Sequence, residues 1–174
     1  MTGDFSALKN TVVPNLLKGV ANGINKAQAI EKCCPYRDYL LEKLEFIQKL
    51  FNKVQDKLGS STGIYLYEEN WSSSTGAEAE TWWSWGKRNI RFNLNSSYSY
   101  FSISDSRRRS VLFHELTHVH GTEHNPKEWW NNAHTLDDGA EYGWEGLRSI
   151  IRNEVILKKG ENASCPTPRW PDNP

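Results

Sequence analysis

The amino-acid sequence predicts an α+β fold in which a small mixed sheet packs on helices, within a single domain of residues 1–174. Three observations predict it. A long apolar stripe at helical spacing comes first, three short alternating or aromatic segments follow, and two further helical patterns come after them. Helices and strands that occur in separate blocks along the chain are typical of α+β proteins. The chain has 174 residues, the usual size of one domain with its own core.

The first long helix is predicted to begin after Pro35 and to end at Gly59. Its apolar residues recur at alternating steps of four and three, which places them on one helical face. These residues are Leu40, Leu44, Ile47, Phe51, Val54 and Leu58. Residues 1–35 contain only a weak helical pattern, and we expect them to form an N-terminal arm packed on the domain.

Three strand candidates follow this helix. They are GIYLYEE at residues 63–69, TWWSW at 81–85 and RNIRFNL at 88–94. In the third segment Ile90, Phe92 and Leu94 alternate with polar residues, as in a half-buried strand.

The second helix pattern begins at Ser104 and Asp105, which are favourable N-cap residues. Gly121 should end this helix, because glycine suits the left-handed position after a helix. The apolar residues between these limits are Val111, Leu112, Leu116 and Val119. A last helix is predicted from about Asp137 to Leu157, and residues 159–174 are expected to form an irregular, proline-rich tail.

The charge balance argues against a nucleic-acid-binding surface, since the chain has 21 basic and 21 acidic residues. No apolar run approaches the roughly 20 residues of a membrane-spanning helix, so we expect no membrane segment. We also expect a monomer. The sequence contains three cysteines, which allow either reduced thiols or one disulfide from the Cys33–Cys34 pair to Cys165. The start of the chain lacks the pattern of a secretion signal.

The segment VLFHELTHVHGTEH contains four of the five histidines of the chain. His114 and His118 are four residues apart on a predicted helix, so both imidazoles can reach one metal ion. Glu115 lies on the adjacent flank, where a carboxylate can take a proton from metal-bound water. Neutral imidazoles favour zinc, and the sequence therefore predicts a Zn²⁺ site.

A catalytic zinc usually has three protein ligands and one open position. His124 is the first candidate for the third ligand, because a turn at Gly121 could bring it back to the helix. Asp138 is the alternative, with Asp137 and Glu141 as further oxygen ligands. These three acidic residues could instead begin a helix, or accept the free ring N–H of a ligating histidine.

The segment HELTHVHGTEH resembles the zinc-binding signature H-E-x-x-H-x-x-G-x-x-H of the metzincins, a clan of zincin metallopeptidases. The chain departs from that clan because its only methionine is Met1, so the methionine turn is absent. GTEH and DDGAEYG are also similar to parts of the deuterolysin-like aspzincins, where an aspartate is the third ligand. HELTHVHG is similar to the active-site helix of the WLM and SprT proteases, which use a third histidine.

This resemblance implies a zincin-like fold and a zinc-dependent peptidase that acts on a protein or peptide substrate. His114, His118 and His124 would bind zinc, and Glu115 would be the general base. Tyr142 is the first choice for stabilising the oxyanion, and His134 is the second. The resemblance also implies that a peptide lies along an edge strand above the zinc, for which residues 88–94 are the candidate. Small secreted or translocated bacterial toxins and effectors of zincin type have a similar size.

Two other hypotheses come from the eight tryptophans and from the zinc site itself. Tryptophans near the site, such as Trp129 and Trp130, could wall the cleft and stack on sugar rings, which would favour a zinc hydrolase acting on cell-wall amides. Packing in the core is the alternative role for them. The third hypothesis is a non-catalytic, zinc-stabilised binding module, although such a module needs no base at Glu115.

Overall fold

The computed structural model describes residues 2–30, 32, 34, 36–60, 64–70, 77–84, 87–95, 99–125 and 127–157. It confirms the α+β class, with mostly helical structure and one three-stranded sheet. The helices are α1 (Thr2–Ala7), α2 (Val13–Gln28), α3 (Arg37–Gly59), α4 (Asp105–Val119), α5 (Ala133–Tyr142) and α6 (Trp144–Ile151). The strands are β1 (Ile64–Glu69), β2 (Ala79–Ser84) and β3 (Lys87–Asn93). Short π-helical segments occupy Leu8–Val12 and Arg152–Leu157, and 3-10 turns occupy Tyr100–Ser102 and Trp129–Asn131.

Helix α3 confirms the predicted apolar stripe, since all six of its stripe residues are buried. Helix α2 packs along α3 and belongs to the same core. The segment expected to be an N-terminal arm thus supplies helices to the core, with the buried side chains Leu8, Val13, Leu16 and Val20.

The sheet is mixed, as predicted, and its strand order is β1-β3-β2. Strand β3 pairs parallel with β1 and antiparallel with β2. Ile90 and Phe92 of β3 are fully buried, whereas Leu94 follows the end of the strand and is exposed. The expectation that residues 88–94 form an edge strand is wrong, because β3 is the central strand and β2 is at the edge.

Helix α4 begins as the sequence predicts, because the Ser104 hydroxyl accepts a hydrogen bond from the Arg107 N–H at 3.3 Å. The Thr81 hydroxyl of β2 donates to the Glu115 carbonyl of α4 at 3.1 Å. On another side, the Arg108 guanidinium donates to the buried Asp4 carboxylate of α1 at 3.1 Å. The helix is therefore held between the edge of the sheet and the N-terminal helix.

The single last helix predicted from Asp137 to Leu157 is wrong at its start and in its continuity. Helix α5 begins four residues earlier, at Ala133, where the Asn132 side chain accepts a hydrogen bond from the His134 N–H at 3.1 Å. Gly143 then separates α5 from α6 with a φ of 73°, a left-handed conformation that interrupts a right-handed helix.

The predictions for the cysteines and for the C-terminal tail fall mostly outside the described residues. Cys34 is disulfide-bonded, while Cys33, Cys165 and the tail at 159–174 lie outside the described residues. Among the described helices, none is both long and apolar enough to cross a membrane.

Candidate metal centre

His114 and His118 lie one turn apart on α4 and bring their ring nitrogens together. The Nε2 atoms of the two rings are 3.0 Å apart. His114 is buried and His118 is half-buried. The helical spacing that the sequence predicts therefore places two imidazole nitrogens at one point.

The turn after α4 depends on Gly121. This residue has a φ of 93°, which residues with a side chain rarely adopt. Its N–H donates to the His118 carbonyl at 3.0 Å, so the chain reverses immediately after the helix. No neighbouring atom lies within 4 Å of the position of a Cβ at Gly121, so the backbone conformation alone favours glycine here.

The reversed segment is then tied to the start of α5. Glu123 forms a parallel bridge with Asn132. The Glu123 N–H donates to the Asn131 carbonyl at 3.2 Å, and the Ala133 N–H donates to the Glu123 carbonyl at 3.0 Å. These bonds fix the backbone next to His124 and direct the following chain into α5.

His124 completes a triangle of ring nitrogens. Its Nε2 atom is 2.9 Å from Nε2 of His114 and 2.9 Å from Nε2 of His118. The triangle lies in the wall of a cavity of about 630 Å³ between α4, α5 and β2. The structure thus brings together all three histidines that the sequence nominates as ligands.

The hydrogen bonds of the opposite ring nitrogens make this triangle suitable for a cation. His118 Nδ1 is 2.8 Å from the Thr122 carbonyl, which can only accept, so Nδ1 carries the proton and Nε2 a lone pair. His114 Nδ1 is 2.8 Å from the Asp137 carboxylate, which assigns the same tautomer to that ring when the carboxylate is ionised. Two lone pairs then face each other at 3.0 Å, an arrangement that a bound metal ion stabilises.

Burial keeps both rings in the neutral form that binds metals. It lowers the pKa of His114 to about 3, and the nearby side chains of His134, His124 and Arg107 lower that pKa further. Burial likewise lowers the pKa of His118 to about 4. At neutral pH neither ring needs to lose a proton before it can bind a metal ion.

The triangle is slightly smaller than the three-nitrogen face of a zinc site. A tetrahedral zinc with Zn–N distances of about 2.0–2.1 Å has ligand nitrogens roughly 3.3 Å apart. The three nitrogens lie 2.9–3.0 Å apart, and a small outward shift of each ring would reach the zinc value. Three imidazoles are also a donor set that zinc accepts in catalytic sites.

Asp137 supports the triangle through His114. Its carboxylate is buried, and burial raises its pKa to about 7. A carboxylate that accepts the second ring N–H fixes the orientation of a metal-binding histidine and raises its basicity. Asp137 therefore makes the contact with a ring nitrogen of His114 that such a supporting residue needs.

Changing Asp137 to asparagine should weaken zinc binding by about 10–100-fold, the usual cost of losing such a partner. The amide keeps the shape of the side chain but removes its negative charge. Competition with a chromophoric chelator measures the affinity. Asp138→Asn is the matched control and should change the affinity little, and equal effects of the two changes would contradict this role for Asp137.

Glu115 lines the same cavity from α4. Its side chain is only 5% exposed, and its Oε2 atom has no hydrogen-bond partner among the described residues. Burial raises its pKa to about 7, where a carboxylate exchanges protons readily at neutral pH. A buried carboxylate oxygen without a partner is costly to the fold, so it indicates a role in the site rather than in stability.

His134, which the sequence nominates only as a second choice for stabilising the oxyanion, lies directly beside the histidine triangle. Its ring stacks on His124 with centroids 4.4 Å apart and planes at 22°, and it lies 4.6 Å from the ring of His114. Ring nitrogens of His114, His124 and His134 lie within 4.8 Å of one another, so this group could also hold a metal ion. The one available signal was Asn132, whose side chain is a favourable N-cap for a helix that contains both His134 and Asp137.

The other nominated residues lie elsewhere. Tyr142 is 64% exposed and lines a different cavity, of about 340 Å³, together with Arg109 and Trp144. Asp138 is half-buried on α5 and, unlike its neighbour Asp137, is not among the residues that line the metal cavity. His120, a histidine of the same segment that is not among the predicted ligands, follows the last residue of α4 and does not line that cavity either.

The tryptophans with described side chains do not wall this cavity. Trp129 is buried in the core. Trp130 packs edge-on against Tyr39 at 5.8 Å, with the Lys43 ammonium 4.0 Å from its ring centre. These two tryptophans pack against other side chains, and the prediction that they wall the cleft is wrong.

The comparisons with known proteins add no relative. No protein-family model matches the chain, and neither a curated protein nor a solved structure is significantly similar to it. The arrangement of the site is therefore the basis for assigning a function.

Proposed function

We propose that this chain is a zinc-dependent peptidase of zincin type, with His114, His118 and His124 as the zinc ligands. The observation that carries the proposal is the triangle of Nε2 atoms, 2.9–3.0 Å apart, beside a buried carboxylate oxygen that lacks a partner among the described residues. A purely structural zinc site has four closed ligands and no need of an adjacent base. This combination favours a hydrolase over a zinc-stabilised binding module.

The choice of His118 over His134 as a ligand rests on distance. His118 Nε2 lies within 3.0 Å of both other nitrogens. In the group that includes His134, the ring nitrogens of the three histidines lie within 4.8 Å of one another. His118 also has its Nδ1 proton directed to a backbone carbonyl, an arrangement common among metal-binding histidines.

Glu115 is proposed as the general base and proton shuttle. A bound zinc ion would lower the pKa of water and polarise the scissile carbonyl. Glu115 takes the proton of the attacking water and later gives it to the leaving amine, so the carboxylate returns to its starting state. Its raised pKa, caused mainly by burial, suits both transfers near neutral pH.

Strand β2 is proposed as the support for an extended peptide substrate. It lies at the sheet edge beside α4, and Ala79, Glu80 and Thr81 line the cavity. The Asn93 N–H donates to the Glu78 carbonyl, so by antiparallel alternation the backbone N–H and C=O groups of Ala79 and Thr81 point away from β3. Main-chain bonds to such an edge are a usual way to hold a peptide.

The cell-wall hypothesis has less support from the structure. It was motivated by tryptophans that could stack on sugar rings, and none of the tryptophans whose side chains the structure describes lines the cavity. A peptide held along β2 uses backbone groups that the cavity does offer.

Incubating the zinc-loaded protein with a mixed peptide library tests the proposal, with cut sites identified by mass spectrometry. We expect cleavage that a chelator stops and that added zinc restores. Peptidoglycan fragments should be analysed in parallel. Release of those fragments with all peptides intact would replace the peptidase by the cell-wall hydrolase, and no turnover of either substrate would refute a hydrolase.

A further inference from the structure

The metal cavity is lined by a carboxylate for which the proposed mechanism has no use. Glu78 lines this cavity immediately before strand β2, and its side chain is 27% exposed. The cation near its carboxylate is the Arg107 guanidinium, at 3.7 Å. That distance exceeds the usual range of a hydrogen bond, about 2.7–3.2 Å. The Glu78 carboxylate can therefore accept a closer bond from a bound molecule.

Arg107 does not fully neutralise the Glu78 carboxylate, because the same guanidinium also faces Glu141 of α5. The nitrogen–oxygen distance of that second ion pair is 3.6 Å. Two negative charges thus share one positive charge, and the three side chains together keep one negative charge. A positively charged group that enters the cavity beside Glu78 is attracted to this arrangement.

The other carboxylates that line the cavity are already engaged. Glu80 accepts two hydrogen bonds from the Arg91 guanidinium, at 2.7 Å and 3.2 Å. Asp137 lies 2.8 Å from a ring nitrogen of the histidine cluster, and Glu115 is the proposed base. Among the described lining residues, Glu78 is therefore the carboxylate left to recognise charge on a substrate.

An independent observation indicates that this cavity receives a ligand. The Glu115 side chain is 5% exposed and lines the cavity, and its Oε2 atom has no hydrogen-bond partner among the described residues. A buried carboxylate oxygen without a partner is a sign of a group that acts on a bound molecule. Glu78 lines the same cavity, so its carboxylate faces the space that such a molecule would occupy.

Glu78 also lies near the place where the substrate would react. Strand β2 reaches the middle of α4 at Thr81, whose hydroxyl donates to the Glu115 carbonyl at 3.1 Å. Glu78 precedes Thr81 by three residues, which span at most about 10 Å of extended chain. Burial is the main cause of the raised pKa of Glu115, and the charge of Glu78 contributes to it. A long side chain of a peptide held along β2 can therefore reach Glu78 from a position near the scissile bond.

We infer that Glu78 is a specificity-determining residue that binds an ammonium or guanidinium group of the peptide; this rests on the proposed peptidase function. The substrate class is peptides with a positive charge near the scissile bond, supplied by a lysine or arginine side chain or by a free N-terminal amine. Such groups donate charge-assisted hydrogen bonds to a carboxylate. No covalent bond changes in this contact, so Glu78 selects the substrate and takes no part in the proton transfers of Glu115.

Paired peptides with blocked N-termini measure this preference. The two members of a pair differ only in a lysine or a norleucine near the scissile bond, and norleucine has a linear side chain without the charge. We expect kcat/KM of the zinc-loaded protein to be about 10-fold higher for the lysine peptide. In Glu78→Gln, which keeps the shape of the side chain, this ratio should fall to near 1, and the melting temperature checks that the variant is folded. Raising the salt concentration should lower the ratio in the unchanged protein, because salt screens exposed charges.

A third peptide and a control variant identify the source of the preference. The norleucine peptide with a free N-terminus shows whether an N-terminal amine can replace the lysine. Glu80→Gln is the matched control, since it also removes a negative charge from the cavity lining, but one already bonded to Arg91. The ratio should stay near 10 in this control.

Binding is measured separately in the zinc-loaded Glu115→Gln variant, which should leave the peptides intact. Calorimetry should show that the lysine peptide binds about 10-fold more tightly than the norleucine peptide. Adding Glu78→Gln to this variant should remove the difference.

The outcomes separate this inference from the proposed function. A ratio near 1 in the unchanged protein, a ratio that survives Glu78→Gln, or an equal fall in Glu80→Gln would overturn the role of Glu78 and leave the peptidase assignment intact. Preference for the free N-terminus alone would assign the bound cation to the N-terminal amine. If the zinc-loaded unchanged protein cleaves no peptide, the proposed function is refuted, and the calorimetry still decides whether Glu78 binds a cation.

Discussion

Replacing Glu115 with glutamine should lower kcat for peptide hydrolysis by about 10²–10⁴-fold while zinc remains bound. Glutamine has the same shape but cannot accept the proton of the attacking water. The change also removes a buried carboxylate oxygen that has no partner among the described residues. We therefore expect the folded state of the variant to be at least as stable as that of the unchanged protein. Steady-state kinetics, zinc content and thermal unfolding measure these three effects.

Glu80→Gln is the matched control for this change. Glu80 also lines the cavity, but its carboxylate pairs with Arg91 at 2.7 Å and is 40% exposed. The proposed peptide binding uses backbone groups of Ala79 and Thr81 and not the Glu80 side chain, so hydrolysis by this variant should remain close to that of the unchanged protein. Retained activity in Glu115→Gln would eliminate the proposed base, and an equal loss in both variants would point to the charge of the cavity instead.

Replacing His118 with alanine should produce the largest loss of metal affinity. This residue supplies one corner of the nitrogen triangle. Its loss should lower zinc affinity by more than the roughly 100-fold that can follow the loss of a residue hydrogen-bonded to a ligand. Because a metal ion stabilises the state that binds it, zinc should raise the melting temperature of the unchanged protein and hardly affect that of the variant.

His120→Ala serves as the control for a histidine of the same segment. His120 lies two residues further along the chain and outside the lining of the cavity. Zinc affinity and melting temperature in zinc should stay unchanged in this control. If His118→Ala keeps its zinc while His134→Ala loses it, then His114, His124 and His134 hold the ion and our ligand set is wrong.

Local periodicity was sufficient to predict much of the framework. The stripe from Leu40 to Leu58 follows the helical repeat, and burial of that face in α3 confirms it. The alternation around Ile90 and Phe92 likewise predicted strand β3. His114 and His118 could be paired because their spacing matches one helical turn, which is a property of the local backbone.

Features that depend on distant contacts could not be predicted in the same way. Alternation of apolar and polar residues indicates a strand but does not identify the neighbouring strands. The central strand β3 was therefore predicted to be an edge strand. His134 and Asp137 reach the cluster only because Glu123 pairs with Asn132 and so directs α5 back along α4. The break at Gly143 was missed because one glycine is compatible with either a helix or its end.

We propose that one zinc ion lies between His114, His118 and His124. Anomalous diffraction at the zinc edge, from crystals of the zinc-loaded protein, tests it most directly. We predict a single peak about 2.0–2.1 Å from the Nε2 atoms of these three residues. A peak bound by His134 in place of His118, a peak bound by Asp138, or no peak in this cavity would contradict the account.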